Sequence, residues 1–64
     1  MSAFLVIDDA NAPALGDIRQ AGPGDLVYIR PAACSRKDFP KYWEAAGVAL
    51  TRGALVSVMY REES

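Results

Sequence analysis

The sequence predicts a small α/β or α+β domain: a single-layer, three-stranded sheet with two short helices, in the order β-α-β-α-β. Three apolar runs, at residues 4–7, 26–29 and 55–60, are rich in β-branched and aromatic residues and are bounded by Asp, Gly or Pro, as strands are. In both segments that separate these runs, apolar residues recur at helical spacing. The 64 residues suffice for one domain, which we expect to span 1–64. These patterns leave the strand directions open.

The first helix is predicted between residues 11 and 22. Asn11 can cap its start, Pro13 suits the first turn, and Gly22 suits the left-handed position after the last turn. Four apolar residues of this segment share one helical face: Ala14, Leu15, Ile18 and Ala21.

The second helix is predicted near residues 39–46. Because a residue before proline avoids the α region, we expect a short turn at 35–38 and a helix from about Pro40, ended by Gly47. A brief extended piece at 48–50 would follow. One helical stripe is interpreted mainly as core, with an edge of Trp43 or Tyr42 exposed: Phe39, Tyr42, Trp43 and Ala46.

The strands are apolar in continuous runs, which implies cover on both faces of the sheet. If both helices are right-handed crossovers, the sheet is parallel; if either connection folds back, it is mixed. Either the helices lie on opposite faces, or a partner covers the remainder.

Small domains usually need a disulfide, a metal, a partner subunit or a dense core. Cys34 is the only cysteine and there is no histidine, so a disulfide and structural zinc are not expected. A dense core or a homodimer remains. The free thiol, and the absence of a basic leader before the first apolar run, favour a cytoplasmic protein without a membrane segment.

The acidic pair Asp8-Asp9 after a buried strand is similar to the opening of response-regulator receiver domains, where such a pair delivers carboxylates to magnesium. Residues 25–31 also resemble that family's third strand. The position of its phosphate-accepting aspartate is filled by Ile29 or Arg30, however, and the chain is about half as long as the family requires. The pair is therefore interpreted as a strand end rather than a metal site, and no metal or other cofactor is expected.

Charge is unevenly distributed although the net charge is only −1. A candidate partner-binding face consists of acidic residues: Asp8, Asp9, Asp17, Asp25, Glu62 and Glu63. A candidate nucleic-acid-binding set is basic and follows Arg30 in the chain: Arg36, Lys37, Lys41 and Arg52.

No Ser-His or Cys-His pair is possible, and no phosphate-cradling loop is present, so we do not expect an enzyme. The hypothesis is a non-enzymatic protein-binding module. It resembles in type the small stoichiometric inhibitors of phages and mobile elements, such as anti-CRISPR proteins. Its acidic face would block the nucleic-acid groove of a larger protein or ribonucleoprotein complex with a basic surface. The alternative is a small nucleic-acid-binding module that uses the basic middle segment and exposed aromatic residues.

Overall fold

The computed structural model describes residues 3–59. Its elements confirm the predicted β-α-β-α-β order and add one 3₁₀ helix between β2 and α2. In chain order they are β1 (Phe4–Ile7), α1 (Leu15–Arg19), β2 (Leu26–Ile29), the 3₁₀ helix (Pro31–Ser35), α2 (Phe39–Thr51) and β3 (Leu55–Val58). The third strand was predicted to run to Tyr60, but β3 ends at Val58; Met59 follows it, and Tyr60 lies outside the described residues.

The three strands form one parallel sheet in the order β1-β2-β3. Phe4 lies opposite Leu26, which lies opposite Leu55, and the register continues along the strands. Each helix connects one strand to the next, so both connections are crossovers, as parallel pairing requires. The question of parallel or mixed strands is thereby settled.

Both helices cover the same face of the sheet. They contact each other, as expected of successive right-handed crossovers in a 1-2-3 strand order. Ile7, Val27 and Ile29 point into this layer and are completely buried together with Ile18 of α1. Six of the eleven buried hydrophobic residues within the described segment are alanines, so the helices lie close to the sheet but bury few large side chains.

Helix α1 is shorter than predicted. The amides of Ala10 and Asn11 donate to the Asp8 carboxylate, and Asn11 therefore belongs to a turn and does not cap the helix. Ala14 occupies the N-cap position without a side-chain hydrogen bond. The helix has only five residues and depends on the burial of Ile18.

Helix α2 is longer than predicted, because it continues through Gly47 to Thr51 and includes the segment 48–50. Burial of Ala45, Ala46 and Ala49 offsets the low helix propensity of Gly47. The chain turns instead at Gly53, whose φ of 100° is unfavourable for other residues. Within residues 3–59, no helix is long and apolar enough to cross a membrane.

Candidate protein-binding surface

The sheet face opposite the helices is apolar and uncovered by any helix of the described segment. Side chains alternate along a strand, so the residues between the core positions point to this side. Phe4, Leu55 and Met59 are 63%, 67% and 54% exposed, which shows that the face is open at both edge strands. We call it the open sheet face, defined by Phe4, Val6, Leu26, Tyr28, Leu55, Ser57 and Met59.

Side chains of the open sheet face contact one another across neighbouring parts of the sheet. The rings of Phe4 and Tyr28 meet edge to face, with centroids 6.2 Å apart. The Tyr28 hydroxyl donates to the Met59 Sδ atom at 2.8 Å. These contacts link β1, β2 and the residue that follows β3.

A second apolar surface runs along the outer side of β3, on the helical layer. An open groove of about 270 Å³ lies between α2 and β3. A neighbouring depression of about 240 Å³ extends it past Cys34 and Phe39. Trp43 and Leu50 border the groove and remain 52% and 58% exposed. We call this surface the β3 groove, lined by Trp43, Ala46, Gly47, Leu50, Val56 and Val58.

The carboxylates of Asp8 and Asp25, both predicted to bind a partner, hold turns of the backbone. Asp25 accepts hydrogen bonds from the amides of Gly22 and Ala3, each at 2.9 Å, and these bonds lower its pKa. The bond from Asn11 is the main cause that lowers the pKa of Asp8. Asp8 follows β1 whereas Asp25 precedes β2, so the two lie at opposite ends of the parallel sheet.

The other predicted acidic residues divide into two groups. Asp9 and Asp17 are exposed, and no side-chain hydrogen bond to either carboxylate occurs within the described segment. Glu62 and Glu63 lie outside the described residues. The structure thus leaves Asp9 and Asp17 available to a partner but does not bring Asp8 and Asp25 together.

Arg36 of the predicted basic set ties the helical layer to the loop after β1. Its Nε atom donates to Asp38 at 2.8 Å, and its Nη1 atom donates to the Asp8 carbonyl oxygen at 3.3 Å. The guanidinium lies 5.1 Å from the centre of the Tyr42 ring. The bond to Asp38 raises the pKa of Arg36 and lowers the pKa of Asp38. This arginine has a structural role in addition to any binding role.

The remaining predicted basic residues are separated along α2. Lys37 is exposed in the turn before α2, Lys41 is exposed in its first turn, and Arg52 is exposed just after its end. A helix of this length spans roughly 20 Å. The structure therefore does not join Arg52 to the two lysines in one patch.

The structure assigns different environments to the predicted aromatic stripe. Tyr42 is buried and Phe39 half-buried, as expected of core residues, whereas Trp43 is half exposed and contacts Phe39 at a centroid distance of 6.0 Å. Helical spacing predicted an exposed edge at Trp43 or Tyr42 without deciding between them. Trp43 is the exposed residue because it points toward β3, beyond which the described segment has no further strand.

No group of three or more His, Cys, Asp or Glu side chains converges anywhere in residues 3–59. The chain matches no protein-family model, no curated protein and no solved structure. The two apolar surfaces are thus the features of the described segment from which a function can be inferred.

Proposed function

We propose that the chain is a non-enzymatic protein-binding module whose open sheet face binds the apolar side of an amphipathic helix. One observation carries the proposal: apart from Ser57 and the Tyr28 hydroxyl, the outward side chains on all three strands are apolar. A sheet with apolar residues on both faces is normally covered on both, and here the helices cover one.

The dimensions of the open sheet face suit one helix. Three strands at their usual spacing, with their side chains, are roughly 10–15 Å wide, close to the diameter of a single helix. The Phe4 and Tyr28 rings form a ridge beside the smaller side chain of Val6. The depression at Val6 can receive a row of side chains from a helix.

The finer form of the proposal is a stoichiometric inhibitor, of the anti-CRISPR type, that occupies a functional surface of a larger complex. A domain of 64 residues with a preformed apolar face is suited to that mode of action. The exposed Asp9 and Asp17 would accelerate association with a basic partner surface through long-range attraction.

The nucleic-acid alternative is supported by one observation, the exposed aromatic pair on a sheet. Single-stranded RNA stacks its bases on aromatic residues in that position in some sheet modules. Phosphates also need cations beside the bases, but the open sheet face itself contains no charged residue. We therefore favour a protein partner.

The test is a selection of binders from a displayed library of amphipathic helical peptides, followed by NMR titration of the uniformly labelled chain. We expect the amide shifts to concentrate in β1, β2 and β3. Phe4→Ser should lower the affinity for the selected peptide about tenfold, equivalent to ~1.4 kcal/mol, because it removes an exposed ring from the interface.

Val48→Ser is the matched control, since Val48 is an exposed apolar residue on α2 and not on the sheet. It should bind as tightly as the wild type. The proposal would be contradicted if the selected peptides bound Phe4→Ser as tightly as wild type and changed the amide chemical shifts of α2 instead. Salt-sensitive binding of a single-stranded oligonucleotide, lost on replacement of Lys37 and Lys41, would favour the alternative.

A further inference from the structure

The outer edge of β3 presents unpaired backbone groups within the described chain. The amides of Leu55 and Met59 donate to Asp25 and Ile29, toward β2. In a parallel ladder the alternate residues face the other way. The N–H and C=O groups of Val56 and Val58 therefore point outward, where another strand can pair with them.

The exposed apolar side chains are concentrated at this same edge. Trp43 and Leu50 border it on the helical side, and Leu55 and Met59 border it on the open sheet face. The opposite edge of the sheet is formed by β1. Among the described residues of that strand, only Phe4 is a mainly exposed large hydrophobic residue. This asymmetry favours β3 over β1 as a pairing edge.

The composition of the core also favours a partner subunit. A chain of this size buries only about 60% of its unfolded surface, which leaves a small margin of stability. Among residues 3–59, the four largest fully buried side chains are Ile7, Ile18, Ile29 and Val27, and alanines make up much of the rest of the core. A second copy would add the apolar contact that this core lacks.

From these features we infer that the β3 groove is covered by a second copy of the same chain, related by a twofold axis beside Ser57. The two β3 strands pair antiparallel, with Val56 of each opposite Val58 of the other, and the sheet becomes six-stranded. This register uses the outward backbone groups of both residues. It makes Ser57 face its own counterpart.

The helical layer fits the same axis. Trp43 lies one turn before Gly47 in α2 and Leu50 lies about one turn after it. When two α2 helices cross antiparallel at Gly47, each Trp43 meets the other copy's Leu50. A Cβ atom at Gly47 would contact nothing within 4 Å, so the space above this glycine is open to the second helix.

The area is sufficient for a specific, weak dimer. The length of α2 and the combined depth of sheet and helix give a patch of roughly 20 Å by 20 Å on each copy. The two copies would together bury on the order of 1,000 Å², near the lower limit for a specific interface. The open sheet face stays uncovered in this dimer, so the inference goes beyond the proposed function.

The test compares Gly47→Lys with Val48→Lys by sedimentation equilibrium over a wide range of concentration. Both variants add one cation to α2, but Val48 does not line the β3 groove. We expect wild type and Val48→Lys to approach twice the 6.9 kDa chain mass as concentration rises. Gly47→Lys, with two cations at the helix crossing, should dissociate at least about a hundredfold more readily.

Hydrogen exchange then locates the strand pairing. In the wild-type dimer the amides of Val56 and Val58 should become protected with rising concentration, and in Gly47→Lys they should not. A wild-type monomer at every concentration, an equally tight Gly47→Lys dimer, or a dimer with fast exchange at both valines would each overturn the inference. Gly47→Lys should still bind the helical peptide through Phe4, which separates this result from failure of the proposed function.

Discussion

At the scale of single residues, Gly53 shows how one position controls where an element ends. It has a φ of 100°, and a Cβ atom there would lie 3.0 Å from Cγ of Pro23. The turn before β3 is thus packed against the turn before β2. A side chain at this position would be strained by its own backbone and by its neighbour.

We predict that Gly53→Ala lowers the free energy of unfolding by about 1–3 kcal/mol, the usual range for a residue forced into such a conformation. Urea denaturation measures it. Gly16→Ala is the matched control, because a Cβ atom there meets nothing within 4 Å and alanine favours the helix. Equal stability of Gly53→Ala and wild type would show that the turn accepts a side chain.

Asp25 gives the chain a defined acid sensitivity. Its pKa in the folded state lies below the ordinary value for an aspartate because the amides of Gly22 and Ala3 donate hydrogen bonds to its charged form. The stability that this carboxylate contributes is complete above its unfolded-state pKa and is lost as the pH falls through its lower folded-state pKa.

Asp25→Asn should therefore be less stable than wild type at neutral pH and should lose less stability on acidification. Thermal unfolding across the acidic range measures both effects. Asp17→Asn serves as the control, since Asp17 is exposed and has no side-chain hydrogen bond in the described segment. Parallel pH profiles for Asp25→Asn and wild type would rule out this role of the carboxylate.

At the scale of elements, the strands were predictable and the helix bounds were not. β1 and β2 follow from short β-branched runs with clear turn residues beside them. The helix ends depend on contacts that no local pattern contains. The Asp8 carboxylate accepts a hydrogen bond from the Asn11 amide, which places Asn11 in a turn. Burial of the alanines of α2 stabilises the helix beyond Gly47.

The candidate site was predictable in part. Continuous apolar strands predicted cover on both faces of the sheet. The helices cover one face, and cover of the other face by a partner remains a prediction. The sequence could not say which side chains remain exposed, because that depends on both helices lying on one side. The acidic partner-binding set remains a prediction. The turns that hold Asp8 and Asp25 depend on backbone amides whose positions follow only from the folded chain.

At the scale of the whole molecule, the parallel order β1-β2-β3 explains why apolar surface is left over. Two crossovers of the same hand place both helices on one side, so no helix of the described segment covers the other side or the outer edge of β3. Surfaces of this kind are common where proteins meet other proteins.

The fluorescence of Trp43 can report whether the β3 groove is covered. This residue is the only tryptophan of the chain and borders the β3 groove, so its fluorescence reports on that groove alone. A second copy over the groove should shift the emission to shorter wavelength and shield the indole from acrylamide quenching. Dilution should reverse both changes while the circular dichroism of the helices stays constant. The protein thus carries an intrinsic probe that distinguishes loss of a neighbour from loss of the fold.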